Sequence, residues 1–211
     1  MLAVRAVTAL PADYRQQAVL DLSKNRMAVV GAVVSGIILL FAVGWLLVQF
    51  TNIVRPTVLE GMRLRDMRTI APDGGQSIVI PCQLTVDAVI AFALVMVIHE
   101  LVHGVAFWQF AGKRPTVGIK GIFVYVAAPS DVYFPRNQYV TVGLAPLVLL
   151  TLVGLVLVAI VPVVVAPVVI LFVALNAAGA AGDLIMVGRL FSYSPHTLMQ
   201  DIDSGVVVYG P

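Results

Sequence analysis

Residues 86–110 read VDAVIAFALVMVIHELVHGVAFWQF, 25 residues whose interior is apolar except at His99, Glu100 and His103. A helix needs roughly 20 apolar residues to cross a bilayer, so this stretch is long enough to do so. Ionisable side chains at such depth are expensive to bury, and their default reading is functional. The three spell the pattern His-Glu-x-x-His. On a helix, residues four apart lie on one face a turn from each other, so both imidazoles can reach one metal ion. Glu100, beside the first, can contact water at the metal instead of the metal itself. The plain alternative is a polar cluster without metal, but inside an apolar helix two histidines and a glutamate still need partners.

The rest of the chain has the same character. Of its 211 residues, 60% are hydrophobic and 11% charged, and the mean hydropathy is +1.00. Soluble domains run about 45–50% apolar and about 25% charged, so too little polar residue is present to coat a water-facing surface. An ordinary soluble enzyme and a disordered chain are thereby excluded. A formal net charge of +2, with 13 Lys and Arg scattered along the sequence, argues against a nucleic-acid partner. Cys82, the single cysteine, can form no intramolecular disulfide. The expected fold class is an all-α integral membrane protein with about four transmembrane helices and short β-hairpin-like loops, and its first partner is the lipid bilayer.

Three further stretches complete the four. Residues 28–50 carry no charge. The tract from Tyr139 to about Gly188 is too long for one span and divides at Pro162 and Pro167, where a helix would break or kink. The expected organisation is therefore an N-terminal cytoplasmic or interfacial segment over 1–27 and a first transmembrane helix over 28–50. An extracytoplasmic loop over 51–85, a core over 86–190 and a cytoplasmic tail over 191–211 follow. Residues 1–27 hold Asp13 and Asp21 and lack an apolar run, unlike a cleaved signal peptide. Leu10, Tyr14 and Leu20 suggest a short interfacial helix there. Lys and Arg number four in 1–27, four in 111–138 and one more at Arg189, against four in 51–85. The positive-inside rule then places both termini in the cytoplasm of a multi-pass protein of the cell membrane.

Two loops read as extended chain. Residues 66–71 and 76–80 flank Pro72-Asp73-Gly74-Gly75, a hairpin signature. In 115–128, Val117, Ile119, Phe123 and Tyr125 stand among Gly118 and Gly121.

A zinc site with two histidines needs a third protein ligand and keeps one position open. His196 follows Ser194-Pro195 in a polar segment and reads as a solvated loop residue. Asp183 is the only ionisable side chain inside the fourth stretch. His99 lies 13 residues into the second stretch and Asp183 lies 16 into the fourth. At 1.5 Å per residue those are depths of about 20 and about 24 Å from the same face. One Zn²⁺ per chain would balance ionised Glu100 and Asp183, as a low-dielectric site favours. Two histidines and a carboxylate also suit Fe²⁺. The run from Asn176 to Asp183 is rich in Ala and Gly, which lets another helix approach closely. Asn176, two turns before Asp183 on the same face, can point its amide into the same pocket or simply pack.

At these residues the chain resembles membrane-embedded zinc metallopeptidases of the site-2-protease type, and more closely a short integral-membrane family of zincin peptidases. The resemblance covers about residues 86–190 as a three-helix core. His99-Glu100-Leu101-Val102-His103 matches the motif of the first core helix. Gly143-Leu144-Ala145-Pro146-Leu147 is similar to an Ala-Gly-Pro-like element of the second. Asn176 and Asp183 match the Asn and the zinc-ligating Asp of the third. Gly182-Asp183-Leu184 reverses the family's usual neighbours of the aspartate, and the proline after the Asn is absent. The resemblance implies zinc-assisted hydrolysis of peptide bonds in membrane-associated polypeptides. His99, His103 and Asp183 would be ligands, Glu100 the proton carrier, and Asn176 a helper of zinc at the oxyanion. Val117 and Ile119 would hold an unwound substrate by strand pairing.

Two rival readings stand beside this one. An inactive peptidase-like scaffold or regulator would most readily have lost Glu100, which is present. A metal transporter or sensor would need a continuous polar path, and the first and third stretches contain no ionisable residue.

Overall fold

The computed structural model describes residues 6–61, 68–70, 76–78, 80–121, 123–202 and 205–211. Strand β1 (Arg15–Asp21) leads into helix α1 (Arg26–Val54), which starts where Asn25 Oδ1 accepts the Ala28 N–H at 3.2 Å. The short α2 (Pro56–Gly61) and the strands β2 (Arg68–Ile70) and β3 (Gln76–Ile78) precede α3 (Cys82–Ala111). A hairpin, β4 (Thr116–Lys120) and β5 (Phe123–Ala127), follows, then the two-residue strand β6 (Phe134–Pro135) and α4 (Arg136–Ile160). Helices α5 (Ala166–Gly179) and α6 (Ala181–Leu190) and strands β7 (Leu198–Ile202) and β8 (Gly205–Gly210) complete the chain.

Among the described residues, four helices are long and apolar enough to cross a membrane: α1, α3, α4 and the run through α5 and α6. Their division matches the sequence reading. Helix α4 ends before Pro162, whose carbonyl accepts the N–H of Val165 (2.9 Å) and Ala166 (3.2 Å), and Pro167 occupies the first turn of α5. Proline is tolerated there because a first-turn N–H has no helical acceptor.

The fold is not all-α. Strands β1, β8, β7 and β6 form a four-stranded antiparallel sheet in that order. The interfacial helix expected in 1–27 is replaced by β1, paired with β8 from Arg15↔Gly210 to Asp21↔Gly205. Ala18 and Leu20 pack on the buried Leu190, Met199, Val206 and Val208, while Val19 between them is exposed, a period of two rather than four. The tail likewise folds back as the β7–β8 hairpin. The pairing β2–β3 agrees with the expected hairpin of 66–80, although Pro72-Asp73-Gly74-Gly75 lie outside the described residues.

Because the four long helices alternate in direction, β1, the β4–β5 hairpin, β6, β7 and β8 all gather at one end. The ion pair of Lys113 with Asp131 ties the two flanks of the β4–β5 hairpin there. Its hydrogen bond holds the Asp131 carboxyl below the usual carboxylate range. Both side chains are well exposed, so the pair adds little stability.

Candidate metal centre and cleft

Buried residues of α3 recur every four positions at Asp87, Ala91, Val95, His99 and Phe107, a stripe that also carries His103. This face meets α4 and α5. Asp183 comes to it from the first turn of α6. The α5–α6 run is interrupted at Ala180 (φ −70°, ψ 0°), and the small residues around it pack against α1. A Cβ built on Gly36 of α1 would stand 3.0 Å from the Ala178 carbonyl oxygen. The close helix approach read from this Ala/Gly run is therefore present.

His99 Nε2 lies 3.2 Å from Asp183 Oδ2, and His103 Nε2 lies 3.5 Å from the same oxygen. Donor atoms of the three residues all fall within 4.8 Å of one another. Ligands at zinc distances of about 2.0–2.2 Å in a tetrahedron stand roughly 3.3 Å apart, so the cluster already has the span such an ion needs. Their side chains are 10, 12 and 29% exposed, in the order His99, His103, Asp183.

Both imidazoles are held by their other nitrogen. His99 Nδ1 donates to Asn176 Oδ1 at 2.9 Å, and His103 Nδ1 donates to the Val142 carbonyl at 3.0 Å. That carbonyl is available because Pro146, four residues on within α4, has no N–H to give it. Asn176, fully buried, donates its own Nδ2 to the Pro146 carbonyl at 3.2 Å. One proline thus organises the orienting partners of both histidines, and each Nε2 is left as the lone-pair nitrogen a metal requires. The donor set fits zinc.

Glu100, His103 and Asp183 line a cleft of about 320 Å³, together with Tyr125 and Val126 of β5 and Asp201 of β7. Glu100 Oε2 accepts the Val126 N–H at 3.2 Å. The two-residue connection between Lys120 and Phe123 makes that pair hydrogen-bonded, with Gly121 supplying the positive φ of 67°. Alternation then points the main-chain groups of Val124 and Val126 away from β4, and Val126 of the two lines the cleft. The residues expected to grip substrate, Val117 and Ile119, are on β4 with exposed side chains, and their outward main-chain groups use the opposite edge. Strand β5, not β4, faces Glu100. His196 is exposed beside Tyr14, whose hydroxyl donates to its carbonyl, and it takes no part in the cluster.

The family described as "Putative zincin peptidase" matches residues 92–198, about half of the chain, from within α3 to the start of β7. The chain belongs to this family. No curated protein and no solved structure matches it. Membership in the zincin peptidase family agrees with the metal-binding geometry, since the matched segment contains His99, Glu100, His103, Asn176 and Asp183. Sequence reasoning placed Pro146 in a family-like element without seeing the carbonyl it frees, and missed Val142 and Asp201. Proline inside an apolar helix is a usable signal for Val142, because it always frees the carbonyl four residues back.

Proposed function

We propose that this chain is a membrane-embedded zinc-dependent endopeptidase of the site-2-protease type, acting on membrane-associated polypeptides. The observation that carries this reading is the convergence of both histidine Nε2 atoms on Asp183 in a cleft shared with Glu100. When bound, zinc would supply Lewis acidity for a water and for the scissile carbonyl. His99, His103 and Asp183 would hold it. Glu100 accepts the attacking water's proton and delivers it to the departing amine. The β5 edge, presented at the main-chain groups of Val124 and the carbonyl of Val126, pairs with a substrate segment drawn out as a strand. Asn176 has its amide oxygen on His99 and its nitrogen on Pro146, so its role is to orient the ligand His99 rather than to meet the oxyanion.

Membrane insertion is supported by the exposed apolar residues along the long helices, among them Ile37, Phe41, Trp45, Phe92, Leu101, Val148, Leu152 and Val156. Among the described residues, the end that bears the sheet carries Arg15, Lys24, Arg26, Lys113, Arg114, Lys120, Arg136 and Arg189, which favours the cytoplasm for that end. The cleft then opens toward the cytoplasmic face.

The test is metal content of detergent-purified protein beside its Asp183→Ala and His103→Ala variants, with cleavage compared in Glu100→Gln. About one zinc per wild-type chain, lost in both ligand variants, is expected. Glu100→Gln should keep zinc and lose turnover. A wild type that binds zinc yet cleaves no better than Glu100→Gln would favour the inactive scaffold.

A further inference from the structure

The strand that faces the cleft is held at two points by carboxylates from different parts of the chain. Val126 gives its N–H to Glu100 of α3. Two residues on, Ala128 gives its N–H to Asp201 Oδ2 of β7 at 2.9 Å. Ala128 lies one residue past β5, so these N–H groups follow its outward side, about 6.8 Å apart for extended chain. The other oxygen of Asp201 accepts the Tyr139 hydroxyl of α4 at 2.6 Å. Its neighbour Gln200 donates to the Ser130 carbonyl at 2.6 Å, so β7 grips residues 128–130 twice. Asp201 itself is fixed by its sheet, paired with Val206 of β8. It lies beyond the family-matched segment, which ends at residue 198.

We propose that Asp201 is a positioning residue: it anchors the end of β5 to β7 and α4, so that the Val124–Val126 edge is presented over Glu100 at the height a substrate strand requires. This rests on the peptidase reading above for its consequence, but not for its geometry. The terminal sheet is thereby a working wall of the cleft. Detaching Asp201 lets the edge swing away from Glu100 while the metal ligands, which lie on helices, stay in place.

The experiment uses the full chain in detergent with zinc bound, comparing wild type, Asp201→Ala, Asp201→Asn and Tyr139→Phe. Hydrogen–deuterium exchange of residues 124–128 is read first. In Asp201→Ala it should accelerate about tenfold or more, with exchange in α3 and α4 unchanged and zinc stoichiometry kept. Asp201→Asn retains one acceptor for Ala128 and should recover part of the protection; Tyr139→Phe, which removes only a hydroxyl, should show a smaller acceleration at the same residues. With a quenched-fluorescence peptide of ten apolar residues, Asp201→Ala should raise KM about tenfold and change kcat less than about threefold. Unaltered exchange at 124–128, or acceleration spread evenly over the chain, overturns the assignment, as does an equal fall in kcat with KM constant. If wild type cleaves nothing, the peptidase reading fails, and the exchange data still decide Asp201.

Discussion

His103 Nδ1 lies 3.0 Å from the Val142 carbonyl, an oxygen that an ordinary α-helix would have given to the N–H of residue 146. Because residue 146 is proline, a helix defect becomes the fixed acceptor that sets the tautomer of a metal ligand. The usual cost of an interior proline, about 3 kcal/mol, is thus spent where the orientation of an imidazole matters.

Pro146→Ala restores the helical donor to Val142 and makes it compete with His103. Zinc affinity, read by chelator competition, should fall about tenfold while the thermal stability of the metal-free protein rises. Unchanged affinity would detach Pro146 from the metal.

Asn176→Leu keeps the volume but removes the acceptor for His99 and the donor to Pro146. Zinc affinity should fall about 10- to 100-fold. Asn176→Asp keeps the acceptor and should retain more zinc than the leucine variant. If Asn176 served the oxyanion instead, both variants would bind zinc normally and lose kcat.

Strand parity separates two proline substitutions on one hairpin. Val126→Pro deletes the N–H that reaches Glu100 but no ladder bond, so the hairpin should persist while cleavage drops about tenfold or more. Ile119→Pro alters the far edge and should leave cleavage within about twofold of wild type. The opposite ranking would place substrate on β4.

Much of the site is legible in the amino-acid sequence, for a local reason. The pairing of His99 with His103 follows from helix periodicity, and Asp183 from matched depth in a second apolar helix. Both are properties of single helices of known rise. The division at Pro162 and Pro167 is legible because proline acts within one turn. What escapes is nonlocal. β1 is a seven-residue strand beginning Arg15-Gln16-Gln17, and its partner β8 lies at the other end of the chain. Pairing at that separation leaves no mark on either segment's composition beyond a short alternation. That Glu100 bonds β5 instead of the strand of Val117 and Ile119 escapes for a related reason. The segment is extended, as expected, but which edge meets Glu100 depends on the register closed at Gly121 and on the packing of β5 against α3. Asp201, in a tail that reads as polar and loose, gains its place only through the sheet.

Helix α1 contains none of the site's chemistry, yet its Gly36 touches the backbone at Ala178, just ahead of the break at Ala180 and five residues before Asp183. A Cβ at Gly36 would also come within 3.7 Å of the Ala181 Cβ. Any larger side chain there pushes on the hinge that aims a ligand, with no ligand changed. A selection for inactive alleles should therefore recover bulky replacements at Gly36 beside lesions in the His-Glu-x-x-His motif. Supplying excess zinc to the growth medium should rescue the first kind, whose ligands are intact but misaimed, and not losses of His99 or His103.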